Sequence, residues 1–155
     1  RDTGAYATFS DVVGYFDWLG AQLTDSDDRR ARIVAAGEAI HAQEARLAQA
    51  MLHGTGNLKG LADYEGVTIL GGVDNPLREG LVSFTLDAIP APDVVSALRD
   101  RGVRVHMRKA DHYSANVLAP LGMEYCVRVS TCHYNTEAEV AKFLQAMAEI
   151  VGTAG

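Results

Sequence analysis

Two short runs in the second half of the chain place polar or cationic side chains at every other position. In VRVHMRK (103–109), Arg104, His106 and Arg108 alternate with Val103, Val105 and Met107; in YCVRVST (125–131), Cys126, Arg128 and Ser130 alternate with Val127 and Val129. Successive side chains on a strand point to opposite faces. Each run therefore has one apolar face and one face of guanidinium, imidazole, hydroxyl or thiol groups. A guanidinium fork meets a carboxylate or phosphate through two parallel hydrogen bonds, so the chemistry these residues suit is the holding of an anion. The competing reading is a solvated sheet face whose arginines pair with Asp or Glu, and composition alone leaves both open.

Other chemistry-bearing residues carry weaker patterns. Asp111, His112 and Tyr113 fall in a loop at the end of the first run, where binding residues concentrate. His41 and Glu44 share a helix face at i, i+3, but no third ligand stands at a suitable spacing, so no metal site is expected. Cys132 and His133 are neighbours on an extended segment and face opposite ways, which argues against a nucleophile–base pair. Lys59 and Lys109 read as solvent lysines. GTGNLKG (54–60) lacks the full phosphate-loop pattern and follows a helix where that motif follows a strand. Along a strand rising ~3.3 Å per residue, Cys126 and Cys132 lie roughly 20 Å apart, beyond the ~7 Å reach of a disulfide.

The elements that must position these residues belong to an ordinary globular chain. Its 155 residues, 48% hydrophobic and 22% charged, are enough for one domain with a sizeable core. A net charge of -6 and a pI near 5.3 lack the cation excess that a nucleic-acid surface needs, so no such partner is expected. No apolar run approaches the ~20 residues of a membrane helix, and no basic region precedes an apolar core at the N-terminus. The expectation is a cytosolic protein with no membrane contact. Arg1 in place of a methionine is read as the mark of a processed chain or of a piece of a longer one.

Thr8 is expected to cap a helix over 9–23, and the polar TDSDD to break it and supply a new cap at Asp25 or Ser26. A long helix over 29–52 follows, with Gly54 beyond its end. VTIL (67–70) and LVSFTLD (81–87) read as strands separated by a Gly/Asn/Pro turn. A helix starts near Pro92 and is capped by Gly102. The strands 103–109 and 125–131 flank a loop with one helical turn. The last helix has the clearest start: Thr136 with Glu139 three later is a capping box, and Val140, Phe143, Leu144, Met147, Ile150 and Val151 form its stripe. Val82, Phe84 and Leu86 give the strand at 81–87 a greasy face like those of the other two. The predicted fold is thus α+β: a small, mostly antiparallel sheet with helices packed on one face, preceded by a long connecting helix, the second face left for solvent or another domain.

VRVSTCHYNTEAEVAKFL (127–144) resembles the C-terminal segment of the class V aminotransferase family, pyridoxal-phosphate enzymes that include the cysteine desulfurases, where an Arg-x-Ser strand leads into a Tyr-Asn-Thr turn and a Glu-rich helix start. RDTGA, GLVSFTLD, GVRVHMRKADHYS and LGMEYCVRVS resemble, in order, further segments of that family. The resemblance implies a single domain over 1–155, with 1–54 a helical connecting segment and 55–155 an α/β small domain, and a large pyridoxal-phosphate-binding domain absent from this chain. It implies pyridoxal phosphate as the parent enzyme's cofactor, bound to a lysine outside this chain, an amino-acid substrate and a homodimer. Arg128 then takes the substrate α-carboxylate, with His106, Arg108 and Tyr113 around it. Asn135 and Thr136 shape the turn and cap the last helix. The family's phosphate-holding threonine aligns with Ala5, leaving Thr3 or Thr8 as the cofactor contact, of which Thr3 is preferred. The family's desulfurases carry a nucleophilic cysteine in the loop that here reads KADHYSAN (109–116), so a persulfide mechanism, which needs a thiolate there, is not expected. No catalytic residue is assigned, and the isolated chain is expected to be inactive. The alternative is a stand-alone module that binds a carboxylate through Arg104, Arg108 and Arg128, or that dimerises through Phe16 and Trp18.

Overall fold

The structure, a computed structural model, describes residues 2–153; Arg1, with which the RDTGA match begins, lies outside them. The chain divides into two compact units, 1–43 and 44–155.

The first unit holds α1 (Thr3–Gly20) and the first part of α2 (Arg29–His53). Helix α1 starts six residues before the expected Phe9 because Asp2, not Thr8, caps it: the Asp2 carboxylate accepts from the Ala5 amide at 3.1 Å, satisfying one of the orphan N–H groups of the first turn. The Thr8 hydroxyl instead donates to the Gly4 carbonyl oxygen within the helix. The cap of α2 is Asp28 in place of Asp25 or Ser26, its carboxylate taking the Ala31 amide at 2.8 Å. Gly20 is required for close approach, since a Cβ there would stand 1.9 Å from the Arg32 carbonyl oxygen. Asp17 meets Arg29 and Arg32 across the same turn. Along the first helix, Tyr6, Phe9 and Trp18 are largely exposed.

The second unit is α+β, as the sequence predicts. Strands β1 (Val67–Ile69), β2 (Leu81–Leu86), β3 (His106–Lys109) and β4 (Tyr125–Ser130) form one sheet in the order β1-β2-β4-β3, every neighbouring pair antiparallel. Val82, Phe84 and Leu86 of β2 and Val127 and Val129 of β4 are buried against α3 (Ala91–Asp100) and α5 (Glu137–Gly152), together with Leu47, Met51 and Leu52 from the second part of α2. Helix α5 contributes Val140, Phe143, Leu144, Met147 and Ile150, the i, i+3, i+4, i+7 stripe that one helix face presents. Its start is the predicted capping box: the Thr136 hydroxyl accepts from the Glu139 amide, and the Glu139 carboxylate accepts from the Thr136 amide at 2.8 Å. Arg46 and Glu137 form an ion pair beside it.

Two details depart from the sequence expectation. Strand β3 begins at His106 rather than Val103: after Gly102, which takes φ +71, the Val103 amide donates back to the Leu98 carbonyl oxygen, so 103–105 enter the core's margin before the ladder with β4 begins. Met107 shares the apolar face yet is 39% exposed, because β3 is an edge strand. The β1–β2 connection is stapled by Arg78, whose guanidinium donates to the carbonyl oxygens of Leu70, Gly72 and Leu81. A short 3-10 turn at Leu61–Asp63, held by the Asp63 carboxylate on the Gly60 amide, precedes β1.

Candidate functional site

The sheet's second face carries the candidate site. Antiparallel register sets Ser83 of β2 and His106 of β3 directly opposite Arg128 of β4, one on each side. Side chains directly opposite lie about 5 Å apart at Cβ, so Ser83, Arg128 and His106 form a row across three strands. One step along, Arg108 stands opposite Cys126. Cys126 and Arg128 are two apart on β4 and share this face.

Arg128 is half-buried, and its Nε is buried without a hydrogen-bond partner. Among the described residues it enters no ion pair. A buried guanidinium N–H left unmade costs a desolvation penalty that a carboxylate accepting from it would remove. Cys126 lies almost wholly buried between the arginines. Burial pushes its thiol above the ordinary range, against the smaller opposing pulls of Arg108, a hydrogen bond with the Ser83 hydroxyl, and Arg128. The group is thus a neutral packing element, not a thiolate. Both cysteines are free.

The loop after β3 holds Asp111, His112 and Tyr113. The Asp111 carboxylate accepts from the Tyr113 amide at 3.0 Å, and that bond leads a set, including Ser114, His112 and Arg108, that holds it below the usual carboxylate range. Tyr113 is 78% exposed with its ring 3.9 Å from that of His112. The one-turn helix α4 (Ala115–Leu118) follows. His106 and Arg108 thus stand beside Arg128, and Tyr113 lies on the loop at the far end of β3. Arg104 is not in the array. It borders a cavity of about 280 Å³ between β4 and α5, together with Lys142 and Phe143. Thr3 belongs to the first unit, exposed in the first turn of α1 beside the capping Asp2. His41 and Glu44 belong to no cluster of three metal-ligating side chains among the described residues. No helix among them is long and apolar enough to cross a membrane.

Sequence reasoning missed Ser83. Its place on the polar side of LVSFTLD was visible, but its position opposite Arg128 follows from strand order, since β4 inserts between β2 and β3. The lysines Lys59, Lys109 and Lys142 are all exposed, Lys109 over the Tyr125 ring and Lys142 donating to the Gly102 carbonyl oxygen. None fits the buried, neutral amine that a Schiff base needs, so these residues do not supply covalent attachment of pyridoxal phosphate.

An α+β domain with a cationic strand, a turn and a capped helix in this order matches a known protein family. The sequence model described as Aminotransferase class-V fits residues 32–143, and this chain belongs to the class V aminotransferase family, with cysteine desulfurase-like relatives. It is 33% identical over 109 residues to a protein of Pseudomonas putida described as a probable cysteine desulfurase, a match covering 70% of this chain and 24% of that protein. A cysteine desulfurase of Haloferax volcanii is 34% identical over 87 residues, 56% of this chain and 20% of the relative. Among solved structures, the apo cysteine desulfurase of Thermococcus onnurineus superposes with a TM-score of 0.61 at 27% identity, over 79% of this chain and 31% of that one. A cysteine desulfurase of Escherichia coli shares the fold with a TM-score of 0.59 at 20% identity, over 84% and 32%. The chain spans a quarter or less of the length of these curated relatives.

Proposed function

We propose that this chain is the small-domain part of a pyridoxal-phosphate-dependent enzyme acting on an amino acid, and that Arg128 holds the substrate α-carboxylate. The single observation that carries this reading is the buried, unpartnered Nε of Arg128 on an open sheet face, in a chain of this family. Two guanidinium bonds to a carboxylate fix both position and orientation of the bound amino acid. Ser83 and His106 limit its lateral freedom from either side. The face is open rather than cupped, so a second surface must close over it and exclude water. That surface, and the lysine that binds the cofactor, belong to the rest of the parent polypeptide. Of the two candidate threonines, Thr3 is the one left for the cofactor phosphate, since the Thr8 hydroxyl donates to the Gly4 carbonyl oxygen. When bound, pyridoxal phosphate supplies the electron sink; this chain's part is to bind and orient.

The loop at 110–114 offers a carboxylate, an imidazole and a phenol, and Cys126 is buried and neutral. Desulfuration through a persulfide on this chain is therefore not part of the proposal; transamination or elimination is. The parent is read as a cytosolic homodimer, in keeping with the acidic composition and the family.

The test uses the complete polypeptide. It should purify with the visible absorbance of lysine-bound pyridoxal phosphate, and Arg128→Ala should raise the amino-acid concentration that half-saturates it by about tenfold or more. A colourless complete polypeptide with no lysine adduct by peptide mapping overturns the reading. Calorimetric binding of amino or keto acids to this chain alone, lost in Arg128→Ala, favours a stand-alone carboxylate-binding module instead.

A further inference from the structure

The open face carries more positive charge than one α-carboxylate can use. Arg128 and Arg108 sit on adjacent strands of the same face in diagonal positions, with Cβ atoms about 7–8 Å apart, and His106 lies opposite Arg128. Like charges this close are unfavourable unless an anion lies between or beside them. Arg108, like Arg128, enters no ion pair with a described residue. Asp111 feels Arg108, but only as the weakest of the effects that lower its carboxyl, which the Tyr113 amide engages first. Four other arginines do meet a carboxylate among the described residues, Arg29 and Arg32 at Asp17, Arg46 at Glu137 and Arg101 at Glu149, while Arg30, Arg78, Arg99 and Arg104 do not; what sets Arg108 and Arg128 apart is that two such cations share one sheet face on adjacent strands.

Cys126 adds a second observation. Its thiol lies in the row opposite Arg108 and next to Arg128, buried and hydrogen-bonded to Ser83. A thiol there fills the floor between two guanidinium groups without neutralising either, whereas an acidic side chain at position 126 would have satisfied both. The pair is left with its charge directed outward.

We propose that the substrate is an amino acid whose side chain ends in a second carboxylate: Arg128 takes the α-carboxylate, and Arg108, assisted by the His106 imidazole N–H, takes the side-chain carboxylate. This rests on the assignment of Arg128 under Proposed function and goes beyond it to the class of substrate. Two cations in diagonal register on one face suit two carboxylates in one small molecule, and a neutral amino acid leaves Arg108 uncompensated. Uncompensated burial of one member of a charge pair is what separates strong from weak ligands at such sites.

The complete enzyme, loaded with its cofactor, is titrated with L-aspartate, L-glutamate, L-alanine and L-cysteine, following the cofactor's absorbance for binding and product formation for kcat and KM. Aspartate or glutamate should half-saturate at a concentration about tenfold or more below that of alanine and cysteine. In Arg108→Gln that ratio should fall towards one, with the change carried by KM for the dicarboxylic substrate. Arg128→Ala should weaken acidic and neutral amino acids alike, so the two assignments fail separately. If the wild-type enzyme binds neutral amino acids as well as acidic ones while Arg128→Ala still weakens all of them, the second-carboxylate inference is wrong and the α-carboxylate assignment stands; Arg108 then pairs with an acidic group from the rest of the polypeptide. The wild-type ratio decides the matter even where a variant fails to fold.

Discussion

The two faces of the four-stranded sheet obey opposite rules. On one, Val82, Phe84, Leu86, Val127 and Val129 are sealed under α3 and α5, with no polar residue buried in that core among the described residues. On the other, Arg128 keeps a buried donor without an acceptor, and Arg108 keeps a charge without an ion pair. The closed face is complete in itself and accounts for stability. The open face is incomplete: Asp17 Oδ1 and Arg78 Nε are also buried without a hydrogen-bond partner, but at Arg128 the unmade donor stands beside a second cation that has no ion pair with a described residue, an arrangement an anion or another surface would complete.

That contrast can be broken most directly on the closed side. Phe84 is fully buried at the centre of the sheet, and Phe84→Ala should destabilise the chain by roughly 3–5 kcal/mol, read from the midpoint of urea unfolding; a loss under about 1 kcal/mol would mean the greasy face is not the core. Next comes the cap of the helix that seals it. Thr136→Ala removes the acceptor for the Glu139 amide and should cost about 1 kcal/mol. A smaller effect with a definite sign belongs to Glu139, whose carboxyl is held below its ordinary range, first by the Thr136 amide and then by Asn135 and Thr136 side-chain bonds. A group depressed in the folded state lends stability above its unfolded value and loses it as pH falls through the folded one. The chain should therefore lose stability on acidification through the carboxylate range, and Glu139→Gln should flatten that part of a midpoint-versus-pH curve. Least of all should follow from Arg128→Leu on the open face: a change within about 0.5–1 kcal/mol, since no partner is lost and an unmade donor is removed. A large destabilisation by Arg128→Leu would erase the distinction between the faces.

Much of the architecture was legible from residue patterns because those patterns record local physics. The alternation in LVSFTLD and YCVRVST is the pleat itself, and the Thr136–Glu139 spacing is a hydrogen-bond pair closed within one turn, so β2, β4 and the start of α5 fall where expected. The start of α1 was missed because Gly4, Ala5 and Ala7 give no apolar period, while the deciding contact is one carboxylate, Asp2, on one amide. The start of β3 was missed because Val103 and Val105 alternate correctly with their neighbours but are diverted by a turn bond from Val103 to Leu98. For the site, the arginines on the strands were visible and their company was not. Ser83 reaches Arg128 only because a strand distant in sequence inserts beside β2, and the turn bond from Val103 to Leu98 leaves Arg104 ahead of the ladder and outside the array. Register and strand order are long-range quantities that a period-two pattern does not contain.

The Arg78 staple carries a consequence of its own. One planar cation gathers the carbonyl oxygens of Leu70, Gly72 and Leu81, tying together both ends of an excursion rich in Gly, Asn and Pro that has little greasy surface to fold around. The shape of that excursion is therefore set by one side chain acting as a hub. A lysine there, with donors radiating from a single point instead of a rigid fork, would leave the same residues connected to the sheet but free to take several outlines.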